Sequence, residues 1–325
     1  MSVVRALVAV GRTVADLDRT AAFYRDALGF SAEGPPAPLP EPEREAMGLR
    51  EGRATRLIMR LGDQRLDFLA LDPPGAPYPD APLSTDPFFQ HVAIPVRDMG
   101  AAMHHLGRHA HVPISEGGAQ TLPAASGGVA AYKFRDPDGH PLELIHFPHN
   151  AKAAQWRDAP GLFLGLDHSA IGVTDLDAAL AFFTGTLGLA LAGRGLNVGP
   201  EQARLDGLPD PEVDVVGLAP AVATPGVELL HYRRPRTVRP TPAPYGPRDR
   251  ATSRLHLAVR DVARAVEVVE RAGCAATISD GGEVAYLRGP DGHGILLVRD
   301  AHLPPPSARE GACKAGGRGE RDGTG

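Results

Sequence analysis

A long internal repeat limits this chain more than any other feature. Asp16-Leu17-Asp18, Phe23-Tyr24 and Leu28-Gly29 return as Asp175-Leu176-Asp177, Phe182-Phe183 and Leu187-Gly188, at a constant offset of 159 residues. Self-similarity at that distance means two comparable folding units in tandem. Each copy predicts a strand followed by a helix that an Asp caps and a Gly stops. Leu17, Ala21, Tyr24 and Leu28 keep helical spacing, as do Leu176, Leu180, Phe183 and Leu187.

A second repeated element divides each half again. Val96-Arg97-Asp98 recurs as Val259-Arg260-Asp261, each after an apolar strand and before a helix. Asp136-Pro137-Asp138-Gly139-His140 recurs as Gly289-Pro290-Asp291-Gly292-His293, an Asp-Gly turn that leads into a final apolar strand. The chain therefore predicts an α+β protein of four βαβββ modules, at about 3–72, 88–147, 164–232 and 253–300. Residues 150–162 read as a linker between halves. Residues 304–325, rich in Pro, Gly and charge without periodicity, read as a disordered tail. The Pro-rich stretches 34–42 and 235–247 predict loops that border a pocket.

Composition removes several classes of function. The 38 glycines and 32 prolines follow no Gly-X-Y period, and 43% apolar with 22% charged residues describes an ordinary globular chain. A net charge of −5 offers no general attraction to nucleic acid or anionic membrane. No apolar run is long enough to span a bilayer, and no basic-then-apolar leader opens the chain. Cys274 and Cys313 are too few for a disulfide framework. The expectation is a cytoplasmic protein, monomeric or homo-oligomeric, whose partner is a small molecule.

The repeated Asp-Leu-Asp…Phe-Tyr…Leu-Gly helix, with Asp-Pro-Asp-Gly-His followed by Leu142-Glu143-Leu144, resembles the vicinal oxygen chelate superfamily. That superfamily contains glyoxalase I, extradiol ring-cleaving dioxygenases and bleomycin-resistance proteins. The resemblance extends over nearly all of residues 5–299. It implies two domains, 1–149 (modules one and two) and 163–303 (modules three and four). It further implies curved mixed sheets whose paired modules close around one divalent metal, with ligands on the first and last strands of each.

Carried over residue by residue, those positions are Ala9 and Asp67 in module one, and His91 and Glu143 in module two. In module three they are His168 and Glu228, and in module four Arg254 and Leu296, with His256 two residues after Arg254. Pairing modules two and three yields a complete set: His91, Glu143, His168 and Glu228. The complementary pairing of one and four yields Ala9, Asp67, Arg254 and Leu296, which is no metal site. Pairing three and four leaves His168, His256 and Glu228 as an alternative facial triad.

Other candidates read as structural. Strand alternation places His146 and His231 on the faces opposite Glu143 and Glu228, and Tyr232 on the face of Glu228. His140 and His293 belong to turns, and His104, His105, His109 and His111 to a solvated helix face. Asn197–Gln202 predicts a loop that brings an amide and an acid near the pocket. The Arg233–Arg239 cluster predicts contact with an anionic substrate.

Imidazoles and carboxylates together suit Zn, Ni, Co, Mn or Fe(II), one ion per chain. With four ligands the resemblance implies a glyoxalase-type isomerase or lyase acting by proton transfer, with Glu228 or Glu143 as the base. With His91, His168 and Glu143 alone it implies an Fe(II) ring-cleaving dioxygenase. A non-catalytic resistance protein that sequesters a flat ligand is the third expectation.

Overall fold

The computed structural model describes residues 2–148, 151–222 and 225–300. The tail expected at 304–325, with Cys313, lies outside them. Module one supplies β1 (Val4–Val14), α1 (Leu17–Leu28), α2 (Glu41–Ala46), β2 (Arg53–Leu61) and β3 (Gln64–Asp72). Module two supplies β4 (Gln90–Pro95), α3 (Met99–Leu106), β5 (Ala130–Arg135) and β6 (Pro141–His146). Module three supplies β7 (His168–Gly172), α4 (Leu176–Leu180), β8 (Ala190–Val198), α5 (Pro200–Asp206), β9 (Glu212–Ala219) and β10 (Gly226–Arg234). Module four supplies β11 (Ser253–Val259), α6 (Val262–Arg271), β12 (Ala276–Ile278), β13 (Val284–Arg288) and β14 (Gly294–Arg299).

The repeated Asp residues act as the sequence predicts. Asp16, Asp98, Asp175 and Asp261 each accept a backbone N–H in the first turn of the following helix. Gly29 closes α1 at φ 74°, a left-handed conformation that needs no Cβ. The second copy departs from the first: α4 stops at Leu180 and the chain continues through a π-helical turn, Ala181–Thr186. The second strand also varies. In modules one and two it shrinks to short pieces such as Ser31–Ala32 and Val112–Pro113, whereas β8 has nine residues.

Among the described residues the strands form two open, mixed, nine-stranded sheets. One runs β12-β13-β14-β11-β1-β3-β2 and joins modules four and one; the other runs β8-β9-β10-β7-β4-β6-β5 and joins modules three and two. The link in each is an antiparallel pair of first strands, β1 with β11 and β4 with β7. A first strand paired only to the last strand of its own module would leave an edge open, and these pairs close it. Each sheet thus takes one module from each half. The expected division into 1–149 and 163–303 follows the chain and not the sheets.

The repeated turns tie modules within each half. His140 Nε2 donates to Thr13 O (2.8 Å), and Asp138 accepts from Ala15 N (3.0 Å). In the other half His293 Nε2 donates to Gly172 O (2.7 Å), and Asp291 accepts from Thr174 N (2.8 Å). A single large core runs through all four modules, containing Tyr24, Val92, Ile94, Phe183 and Leu257. Val92 and Ile94 face it, so alternation turns His91 and Ala93 to the opposite face of their sheet. That face carries the site.

Candidate metal centre

Strand register sets four side chains on this face in two rows. In one, Lys133 lies opposite Glu143, Glu143 opposite Ala93, Ala93 opposite His168, and His168 opposite Gly226. In the other, Gly217 lies opposite Glu228, Glu228 opposite Ala170, and Ala170 opposite His91. The rows are related by the repeat. Small residues, Ala93 and Ala170, separate each His from the carboxylate in its own row and leave space above the sheet.

The structure brings together all four residues expected under the two–three pairing. His91 Nε2 is 3.1 Å from Glu143 Oε2, and His168 Nε2 is 3.7 Å from Glu143 Oε2 and 3.6 Å from Glu228 Oε1. Ligand atoms of His91, His168 and Glu228 lie within 4.8 Å of one another. His91, Glu143 and His168 are buried, whereas the Glu228 side chain is 23% accessible. The set His168, His256, Glu228 is not assembled: His256 is on β11, in the other sheet.

The donor set fits a divalent cation. Nε2 of both His91 and His168 is buried without a hydrogen-bond partner among the described residues. The 3.1 Å approach of His91 to Glu143 is close but badly angled for a hydrogen bond. Two ligands each ~2.1 Å from a common ion sit roughly 3.0–3.4 Å apart; the His91–Glu143 distance of 3.1 Å matches this, and those from His168, 3.6 and 3.7 Å, are slightly longer. Two neutral imidazoles and two carboxylates also balance the charge of one divalent ion.

One ring is oriented by a residue without an assigned role in the sequence reading. His168 Nδ1 donates to Asp167 Oδ2 (3.0 Å), and Lys152 holds that carboxylate through both oxygens, at 2.9 and 3.1 Å. The bond fixes the tautomer and frees Nε2 for the cleft, as metal-bound histidines require. The adjacency Asp167-His168 was the available signal, but nothing in the order of residues says that the two side chains meet.

The charges are strongly perturbed. Burial drives His91 down to about 4 although Glu143 draws it upward. Burial opposes charge on His168 too, but Glu228, Asp167 and Glu143 outweigh it and raise it to about 9. Glu143 is held down at about 2, against the cost of burial, by His91, Lys133 and His168. Glu228 moves the other way, raised by burial despite His168. The two glutamates are therefore unlike, one firmly ionised and one readier to hold a proton.

The cleft is about 480 Å³ and is also lined by Asn197, Gln202 and Leu205. The segment expected as a loop is the end of β8 and the start of α5; Asn197 and Gln202 line the cleft, whereas the acid expected there, Glu201, does not and lies 3.5 Å from Arg204. Tyr232 OH donates to Asp206 Oδ2 (3.0 Å) and does not reach the metal set. Within the Arg233–Arg239 cluster, Arg233 and Arg234 pair with Asp214 and Glu212, and Arg239 with Asp86. His146 donates to Val96 O, and His231 pairs with Asp214, each outside the cluster.

The other sheet holds the same register positions with different residues. Asp67 lies opposite Gly11, Gly11 opposite Arg254, Ala9 opposite His256, and His256 opposite Leu296. Arg254 donates to Thr13 Oγ1 (2.8 Å) from His168's equivalent position. Leu39, Met47, Leu49, Tyr286 and Leu296 pack together over this face and fill it.

The sequence model of the glyoxalase/bleomycin resistance protein/dioxygenase superfamily matches residues 6–144 and 165–297. No curated protein gives a significant match. Among solved structures, a glyoxalase I mutant from Zea mays is 18% identical, with 91% of this chain and 92% of that chain covered and a TM-score of 0.61. A candidate dioxygenase from Bacillus subtilis is 13% identical, with 94% and 87% covered and a TM-score of 0.58. At these identities the structures show a shared fold, whereas the sequence match extends across both repeats, and the chain belongs to the glyoxalase/bleomycin resistance protein/dioxygenase superfamily.

Proposed function

We propose that this protein is a metal-dependent isomerase or lyase that moves a proton on a small substrate chelating the metal through two oxygens. The observation that carries the proposal is the convergence of His91, Glu143, His168 and Glu228 with both Nε2 atoms unpartnered. A divalent ion held there would act as a Lewis acid and lower the barrier to removing a neighbouring C–H proton. Glu228 is the base. It is the most accessible of the four, and burial already favours its protonated form. It takes the proton from the carbon beside the bound oxygens and returns it to the adjacent carbon or to a leaving group. Glu143, held ionised, stays in place throughout.

The compact group His91, His168 and Glu228 favours one second reading, since two histidines and one carboxylate also suit Fe(II) and O2. This triad uses Glu228, not the Glu143 expected from sequence. The test is hydrogen exchange in D2O without oxygen, followed by NMR, over a panel of small α-hydroxyketones and α-hydroxyacids. Metal-dependent exchange that Glu228→Gln abolishes is the expected outcome. No anaerobic exchange, with O2 uptake matching loss of a catechol on the Fe(II) protein, overturns the proton-transfer reading.

A further inference from the structure

The cleft contains a buried cation beside the metal set, which helps to keep Glu143 ionised. Lys133, on β5, faces the cleft directly opposite Glu143, and only 4% of its side chain is accessible. Nζ donates to Asp206 Oδ1 (2.7 Å), its one side-chain hydrogen bond among the described residues. An ammonium has three N–H groups, so two remain. Asp206 has two further partners: Oδ2 accepts from Gln202 Nε2 (2.7 Å) and from Tyr232 OH (3.0 Å). Asn197 Nδ2 in turn donates to Gln202 Oε1 (3.1 Å). This network draws on the carboxylate from the far side and holds the ammonium rigidly.

Stability alone is a poor reason for such a pair. Desolvating two charges is costly, and apolar residues of similar volume often do as well or better. The repeat strengthens the point. Lys133 stands to Glu143 as Gly217 stands to Glu228, so the charge sits on one side of an otherwise symmetric set. A Cβ on Gly217 would meet nothing nearer than 3.8 Å, so packing does not demand a glycine there. One end of the cleft presents the ammonium of an ion pair; the other is bare and flanked by Val215 and Leu218. The remaining lysine of the lining, Lys152, has both Asp167 oxygens as partners. A single open ammonium matches a monoanion.

We infer that Lys133 is a specificity-determining residue that binds a carboxylate of the substrate, placing its apolar part over Gly217. The inference rests on the metal-centre reading and adds to it the class of substrate: an oxygen chelator with a carboxylate at one end. Asp206 acts through Lys133 and is a positioning residue.

The test uses cobalt(II)-loaded protein, whose visible spectrum reports ligands at the metal, and two probes: benzohydroxamate and a carboxylated benzohydroxamate. A charge-assisted hydrogen bond predicts that the native protein binds the carboxylated probe about tenfold tighter. Lys133→Gln should erase that preference, lowering the affinity of the carboxylated probe about tenfold more than that of the uncarboxylated one, and Lys133→Arg should retain it. A purely structural lysine would shift both probes alike. Equal affinities in the native protein, or a preference that survives Lys133→Gln, overturn the inference without touching the metal reading. Failure of the native protein to give a cobalt spectrum, read before any probe is added, overturns both.

Discussion

His168 shows how much a single ring depends on its neighbours. Three carboxylates surround it, and they raise it to about 9 although burial opposes the charge. Its ordinary value is 6.5, so the folded state binds a proton that the unfolded chain releases between those limits. In protein stripped with a chelator, the stability from His168 is complete below pH 6.5 and is lost as pH rises through about 9. Burial also raises Glu228 above its ordinary 4.5, so its own contribution falls as pH rises from that value, whereas His91, held at about 4, stays neutral from pH 6.5 to 9. A metal must displace the His168 proton, so its affinity should climb over the same interval. Chelator-treated protein should thus lose urea resistance from pH 6.5 to 9 while zinc binding strengthens. Flat profiles for both would contradict the coupled site. The residue types at this centre were legible in the sequence because each occupies a position that the family resemblance marks on the first or last strand of a module. The Asp167 bond and the Lys133–Asp206 pair were not, because they join residues whose proximity only the folded strands create.

The Asp-Gly turns give the element its meaning. Sequence alone identifies Asp138-Gly139 and Asp291-Gly292 as hairpin turns, and both glycines adopt positive φ, 96° and 93°. It does not say that the histidine after each turn crosses to the neighbouring module. There the imidazole satisfies a strand carbonyl, Thr13 O at 2.8 Å and Gly172 O at 2.7 Å. Both histidines are buried, so removing either leaves a desolvated acceptor. His140→Ala and His293→Ala should each cost about 1–3 kcal/mol in chemical denaturation and leave metal content unchanged. A loss of metal with unchanged stability would assign them to the site instead. The helices were similarly legible at their starts, where each Asp caps. They were less legible at their ends: Leu187 keeps helical spacing from Leu176, yet the chain passes through a π-helical turn from Ala181 to Thr186. Apolar periodicity records which side chains are buried, and a local change of pitch can keep them buried.

Over the whole molecule, one architecture is used twice with opposite results. Both sheets join first strands antiparallel, and both present the same register positions on one face. In one, His91, Glu143, His168 and Glu228 converge; in the other those positions are Ala9, Asp67, Arg254 and Leu296. Arg254 is buried and carries its own positive charge, and Asp67, raised by burial to about 7, has Arg56 at 3.8 Å, so these positions offer few donors for a metal. His256 is held neutral at about 3, by burial and by Arg254 and Arg56, and its Nε2 lacks a hydrogen-bond partner among the described residues. That ring is the residual donor of interest, but Leu39, Met47 and Leu49 fill the space that an ion and its substrate would occupy. The two faces thus differ, one lined by side chains that could hold a metal and one filled by apolar packing. The chain should bind one divalent ion. His91→Ala should reduce that to none, whereas His256→Ala should leave one, by elemental analysis after gel filtration. Two tightly held ions in the native chain, or one that survives His91→Ala but not His256→Ala, would place metal chemistry on the sheet of modules one and four.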